Sequence, residues 1–286
     1  MRYSINVPNF GDFADARALA SLAATAEQAG WDALFVWDHV VHVKSRRQTF
    51  ADPWLLLTAA ALATSRIRLG TLVTPVGRRR PHQLARQVST LDQISAGRTI
   101  FGAGLGAPVE DEYGSFGEPT DPVVIAELLD EGLELLDRYW AGEVVTHQGR
   151  HHQVHEVSLL PTPVQRPRVP VWIAGYWPNR RPMRRAARWD GVVPLFTSAR
   201  HGWTPPAEEV RELVGYVREH RAERADRPFD VVVGGISPTD PAQARDLIGP
   251  LAEAGATWWD ERRPIDEHIG ALAPVLRRVE QGPPRL

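Results

Sequence analysis

IRLGTLVTPVGRRRPHQLARQVSTLDQISAGRTIFGA, residues Ile67–Ala103, is the stretch on which the fold turns. Ile67–Thr74 (IRLGTLVT) reads as a strand, a helix follows from about Pro81 to Ser95, and Arg98–Ala103 (RTIFGA) begins another strand. The same rhythm runs outward in both directions. Upstream, Tyr3–Val7 (YSINV) is a strand, and Asp15–Ala29 carries apolar residues at helical spacing until Gly30, a natural C-terminal signal. Ala33–Trp37 (ALFVW) is the second strand and Pro53–Ala63 the second helix. Downstream, Val123–Trp140 is the helix after the fourth strand.

The alternation then pauses over Glu143–Pro170. Its VVTHQG, HHQVHEVSLLP and proline-spaced TPVQRPRVP predict a small hairpin insertion and an extended linker. Alternation resumes with Val171–Ala174 (VWIA), a helix around Arg181–Trp189, Val192–Leu195 (VVPL), a helix over Glu208–Glu223 and Asp230–Gly234 (DVVVG). A helix over Pro241–Ala254, Thr257–Asp260 (TWWD) and a final helix over Glu267–Val279 complete the series. The tail GPPRL is expected to fray.

Eight strand–helix units in 286 residues predict an α/β fold, a (β/α)8 TIM barrel. The expected organisation is one domain over 1–286, with a small insertion at approximately 143–170 between strands four and five. Strands such as ALFVW and VWIA are apolar throughout, as parallel strands covered on both faces are. The competing open doubly wound sheet usually carries a glycine-rich nucleotide loop after its first strand, and here that position reads PNFGDF. The phosphate-loop lysine motif is absent as well.

Composition narrows the partners. A net charge of −2 gives no reason to expect nucleic acid or an anionic membrane. The absence of cysteine excludes disulfides, thiolate metal sites and cysteine nucleophiles. MRYSINVPNF has no basic segment followed by an apolar one, and no apolar run reaches the roughly 20 residues of a membrane helix, so a cytoplasmic location is expected. The 10 tryptophans are assigned mainly to the core, with Trp37 and Trp177 as pocket candidates because of their rim positions.

In such a barrel the active site lies at the carboxyl ends of the strands. This logic selects Asn6, Pro8 and Asn9 after strand one, and the titratable pair Asp38 and His39 after strand two. It also selects Leu72–Pro75, Gly104–Pro108, Gly175–Trp177 and Asp260–Arg262.

Several stretches together resemble the luciferase-like monooxygenase superfamily of flavin- and deazaflavin-dependent barrels. They are RRPHQLARQVSTLDQISAGR, AEQAGWDALFVWDHV, IRLGTLVTP, GLGAPVEDEYGSFGE and PTPVQRPRVPVWIAG, in the family's order. The resemblance covers residues 1–200 well and the rest by rhythm. It implies coenzyme F-420 (an 8-hydroxy-5-deazaflavin) or FMN at the barrel mouth, commonly in a homodimer. It also implies a cis peptide that does not precede proline at Leu72–Val73, pressed against the ring. His39 and Asp38 become the catalytic candidates, His39 because a group that moves a proton suits hydride chemistry. The implied cofactor contacts are Asp38, His39, Leu72 and Val73 for the ring. Gly104, Leu105, Gly106, Ala107, Gly175, Tyr176, Trp177 and Arg180 would serve the tail. Tyr176 and Trp177 are bulkier than the small residues many members carry there. The family's sugar-phosphate dehydrogenases place a glutamate near the ring where this chain has Ala107 and Pro108. The acid is therefore unassigned, and Glu110, Asp111 and Glu112 are read as the start of a solvated loop or helix.

The cluster His147, His151, His152 and His155 lacks a carboxylate partner at ligand spacing, so no metal is expected. Arg78–Arg80 either reaches an anionic tail or substrate or is a solvated charge run. Trp258 and Trp259 alternate, so one faces the barrel interior and the other the helices. The leading reading is an F-420-dependent oxidoreductase acting by hydride transfer on a small organic substrate, with an FMN-dependent monooxygenase as the alternative. An acid–base barrel hydrolase or lyase would need two carboxyl groups converging in the pocket and no bulge after strand three. A non-catalytic cofactor-binding barrel would need a pocket narrowed by Tyr176 and Trp177.

Overall fold

The computed structural model describes residues 1–221 and 226–284. Strands β1 (Arg2–Val7), β2 (Ala33–Val36), β3 (Arg68–Pro75) and β4 (Thr99–Gly104) alternate with helices α1 (Ala16–Ala29), α2 (Pro53–Leu62) and α3 (Pro81–Ile94). A short α4 (Val109–Glu112) and a long α5 (Pro122–Ala141) follow, then an antiparallel hairpin of β5 (Val145–Gln148) and β6 (Gln153–Val157). The remaining elements are β7 (Val171–Trp177), α6 (Arg180–Ala186), β8 (Gly191–Phe196) and α7 (Ala207–Glu219). β9 (Asp230–Gly235), α8 (Pro241–Glu253), β10 (Trp258–Glu261) and α9 (Leu272–Glu280) complete the chain.

Eight parallel strands close into a barrel in the order β1-β10-β9-β8-β7-β4-β3-β2. The TIM barrel expected from the sequence is the observed fold. Helix starts are fixed locally: Asp15, Asp52, Asp121 and Asp240 each accept hydrogen bonds from first-turn amides of α1, α2, α5 and α8. Gly30 ends α1 in the left-handed region at φ 93°.

One helix start differs from expectation. The final helix begins at Leu272, not Glu267, because the Asp266 carboxylate accepts the His268 amide at 2.8 Å and turns the chain before the helix starts. The expected end of the Glu208–Glu223 helix, here α7, lies outside the described residues, as do the last two residues of the tail.

Trp258 points into the barrel and Trp259 outward against the helices. Phe35, Trp172 and Trp258 fill the interior, with centroid separations of 5.3 Å for Phe35–Trp172 and 5.1 Å for Trp172–Trp258. This aromatic plug fills the lower barrel, and the cavity lined by the carboxyl ends of the strands lies above it. Among the described residues no helix is long and apolar enough to cross a membrane.

Candidate functional site

Where β2 leaves the barrel, the chain is clamped before it can become an ordinary surface turn. Asn9, just beyond β1, accepts the His39 amide on Oδ1 at 3.1 Å and donates Nδ2 to the His39 carbonyl at 2.8 Å. It also donates to the Ala51 carbonyl at 2.8 Å, closing the loop on itself. Asp38 is 2% exposed and meets Arg79 through two bonds of 2.7 and 2.6 Å, a fork-on-fork pairing. Arg78 adds bonds to the Asp38 carboxylate at 3.0 Å and to its backbone carbonyl at 2.6 Å.

The short helix α4 delivers Glu112 to the same place. Its carboxylate accepts His39 Nδ1 at 2.9 Å, the Val40 and Val41 amides at 3.1 Å each, and Arg78 Nη1. Burial pushes the Glu112 carboxyl up, but the His39 hydrogen bond and the Arg78 charge outweigh it and hold the group below the usual carboxylate range. An ionised carboxylate only accepts, so the His39 proton resides on Nδ1. Nε2 is then the nitrogen left to take up or release a proton, and it has no protein partner among the described residues.

Two further histidines stand nearby. His42 stacks on Phe10 at 5.3 Å and meets His39 edge-on at 4.8 Å. Burial, helped by the His39 charge, lowers His42 to about 4, and burial with the Arg262 charge lowers His201 to about 4. Both are neutral at pH 7.

Above the plug opens a cavity of about 1270 Å³. Asp38, His39, Leu72 and Val73 lie on its wall, and the Leu72–Val73 peptide is cis, as the resemblance implied. The β3–β4 register shifts between Thr71 and Thr74, which makes the bulge. Gly104, Leu105, Gly106 and Ala107 follow along the wall. A Cβ on Gly104 would fall 2.8 Å from Val73 Cγ2, so the bare backbone lets the bulge project into the cavity. Gly175, Tyr176 and Arg180, on and just after the neighbouring strand β7, continue the same side of the mouth.

Trp177 does not line the cavity. It is 2% exposed and packs in the outer core, with the Arg180 guanidinium 4.4 Å above its ring. Strand alternation explains the correction: neighbours on β7 point to opposite faces, and only Tyr176 takes the open one.

Arg78 and Arg79 correct the two readings of the arginine run, since they turn inward to pair with Asp38 and Glu112. Glu112 corrects the reading of a solvated acidic start, at 1% exposure. The histidine cluster gains carboxylate partners that its local spacing could not reveal. His147 pairs with Glu131 at 3.0 Å and His151 with Glu127 at 2.9 Å, both from α5. Among the described residues no three His, Asp or Glu are placed to hold a metal ion.

The luciferase-like monooxygenase family model matches residues 2–271. The chain belongs to this family. Among curated relatives, the F-420-dependent glucose-6-phosphate dehydrogenase of Intrasporangium calvum is 32% identical over 57% of this chain and 49% of its own. The enzyme of that name from Beutenbergia cavernae is 30% identical over 91% of this chain and 74% of its own. The chain thus spans about half the length of the first relative and three quarters of the second. The crystal structure of the monooxygenase RslO1 from Streptomyces bottropensis superposes with a TM-score of 0.68 at 26% identity, over 89% of this chain and 77% of that one.

Proposed function

We propose that this chain is an oxidoreductase that binds coenzyme F-420 at the barrel mouth and exchanges hydride with a small organic substrate. The observation that carries the reading is the fixed His39, whose tautomer is set by buried Glu112 beside the Leu72–Val73 bulge. The bound deazaflavin would supply the carbon that gives or accepts hydride. His39 Nε2 would move the accompanying proton, while Glu112 holds the imidazole, Asn9 clamps the His39 backbone and Arg78 braces Glu112 and the Asp38 carbonyl. Leu72 and Val73 would support the ring. The amides of Gly104–Ala107 and the arginines Arg180, Arg181 and Arg184 would meet the anionic tail. Arg181 and Arg184 suit this because neither has a carboxylate partner among the described residues.

The similarity to the monooxygenase RslO1 favours one second reading, a monooxygenase on the same site, for which FMN would be the cofactor. The hydrolase reading loses support because the bulge is present and both carboxylates are engaged by arginines. The non-catalytic reading loses support because Trp177 is turned away from an ample cavity.

Titration of cofactor-free protein with F-420 and with FMN, followed by fluorescence, tests the proposal. F-420 is expected to bind selectively, and His39→Ala to weaken it about tenfold, the value of one good hydrogen bond. Selective FMN binding would replace the hydride reading with the monooxygenase one.

The 286 residues are proposed to act as one cytoplasmic domain that pairs with a second copy. Helix α2, PWLLLTAAAL, is apolar all round, and Leu55 and Leu62 on one face are 71% and 74% exposed. Leu55→Glu is expected to convert a dimer to a monomer in light scattering. A wild-type monomer at micromolar concentration would sink the pairing.

A further inference from the structure

Across the cavity from the proposed cofactor wall lies a polar floor that the reading above leaves unused. In the ring of strands, β10 stands four places from β4 and β1 four places from β7, so this floor faces Gly104 and Gly175 from the far side. Its centre is Asp260, fully buried at the end of β10. Asp260 Oδ1 accepts Ser4 Oγ at 2.6 Å. Oδ2 accepts both Asn6 Nδ2 at 2.8 Å and Arg262 Nε at 2.6 Å.

These bonds fix what the two outer side chains present. A carboxylate accepts only, so the Asn6 amide nitrogen must face Asp260 and Oδ1 must face away. Arg262 lies over Gly234, where a Cβ would fall 3.0 Å from Arg262 Nε. Asn6 and Arg262 both line the cavity at 9% and 6% exposure, yet Asn6 Oδ1 and Arg262 Nη2 are buried without a partner among the described residues. Buried polar atoms are nearly always satisfied, and two orphans tethered to one carboxylate oxygen mark a place where a ligand completes the set.

One orphan is an acceptor and the other a donor. The charge of Arg262 is already balanced by Asp260 at 2.6 Å. An anion would gain one donor but set its second oxygen against Asn6 Oδ1 and the Asp260 carboxylate. A hydroxyl donates to Asn6 Oδ1 and accepts from Arg262 Nη2 through a single oxygen. A primary carboxamide does the same through two atoms. We propose that Asn6 and Arg262, held by Asp260, form the polar subsite of the substrate and select a neutral hydroxyl or carboxamide over a carboxylate or phosphate. His201, whose buried Nδ1 also has no partner among the described residues, lines the same cavity. The assignment to substrate rests on the cofactor reading above, because the imide edge of a deazaflavin also pairs an N–H with a carbonyl.

The test is calorimetric titration of cofactor-free protein with cyclohexanol, cyclohexanecarboxamide and cyclohexanecarboxylate, and separately with F-420. The two neutral probes are expected to bind, and the carboxylate about tenfold more weakly or not at all. Arg262→Gln is expected to weaken both neutral probes about tenfold and leave F-420 binding unchanged. The ranking of the three probes on the wild type stands even if this variant fails to fold. Preference for the carboxylate, or no binding of either neutral probe, overturns the subsite. Loss of F-420 binding with unchanged probe binding in Arg262→Gln would give the pair to the cofactor and overturn the assignment to substrate. If the probes rank as expected while F-420 does not bind the wild type, the cofactor reading falls and the neutral-group subsite stands.

Discussion

Glu112→Gln is expected to destabilise the protein by about 3–5 kcal/mol, read as a lower urea midpoint at pH 7 with an unchanged slope. The size follows from what the carboxylate satisfies. It is 1% exposed, neutralises Arg78, and accepts His39 Nδ1 and the amides of Val40 and Val41. Glutamine keeps one acceptor but sets an NH2 group against donors. Arg78, with its side chain only 7% exposed, then shares a single remaining carboxylate with Arg79. A midpoint shift worth under about 1 kcal/mol would show the network to be solvated and the site geometry misread.

The pH profile carries an independent signature of the same substitution. The wild-type Glu112 pKa is lower folded than unfolded, so its stabilisation is present above the unfolded value of about 4.3 and is lost as pH falls through the folded one. His42 and His201 act over a higher range. Their folded values of about 4 lie below the unfolded value of about 6.5, so the unfolded chain binds more protons between those limits. Wild-type stability is therefore expected to fall in two limbs on acidification, from pH 6.5 toward 4 and again below about 4.3. Glu112→Gln should retain the first limb and shrink the second, to which Glu27 and Glu131, where burial is outweighed by hydrogen bonds that hold the carboxyl below the usual range, still contribute.

The barrel was legible because its evidence is periodic and local. Apolar strands such as ALFVW, the stop at Gly30 and the repeated strand–helix rhythm each state their element within a few residues. Asp38 and His39 were legible by position, since a barrel strand that ends in titratable residues places them on the rim. Glu112 was not. It sits in an acidic run, EDE, whose spacing says only that the segment is polar, and its burial depends on α4 folding back toward the β2 loop. The same limit governed Arg78 and Arg79: a charge run looks solvated until the carboxylates that bury it arrive from elements more than 30 residues away. Trp177 failed for a smaller reason, a strand parity that a one-residue shift reverses. Asn6 and Arg262 were identified as rim positions, but their missing partners are a property of three dimensions alone.

Asp38→Asn is the second large effect, and its expected size is smaller than that of Glu112→Gln for a structural reason. The substitution turns a carboxylate that receives three arginine N–H bonds into an amide with one acceptor and two donors. Left unchanged, Arg79 would face a donor at 2.7 or 2.6 Å. Arg79 has an exit, however. Its side chain is 18% exposed and Asp52 stands 3.8 Å from Nη2, so it can swing toward that carboxylate and water. Arg78 remains paired to Glu112 and still donates to the Asp38 carbonyl. The expected loss is about 3 kcal/mol, at the lower edge of what breaking a buried pair costs. Adding Arg79→Gln should recover at least about 1 kcal/mol of it, because the two side chains share one interaction and their effects are not additive. His39 keeps its Asn9 clamp and its Glu112 bond in this variant, so F-420 affinity should fall much less than in His39→Ala. Full additivity of the two substitutions would mean that Asp38 and Arg79 do not hold each other. A loss of cofactor affinity equal to that of His39→Ala would mean that Asp38 touches the cofactor itself and does more than brace the loop.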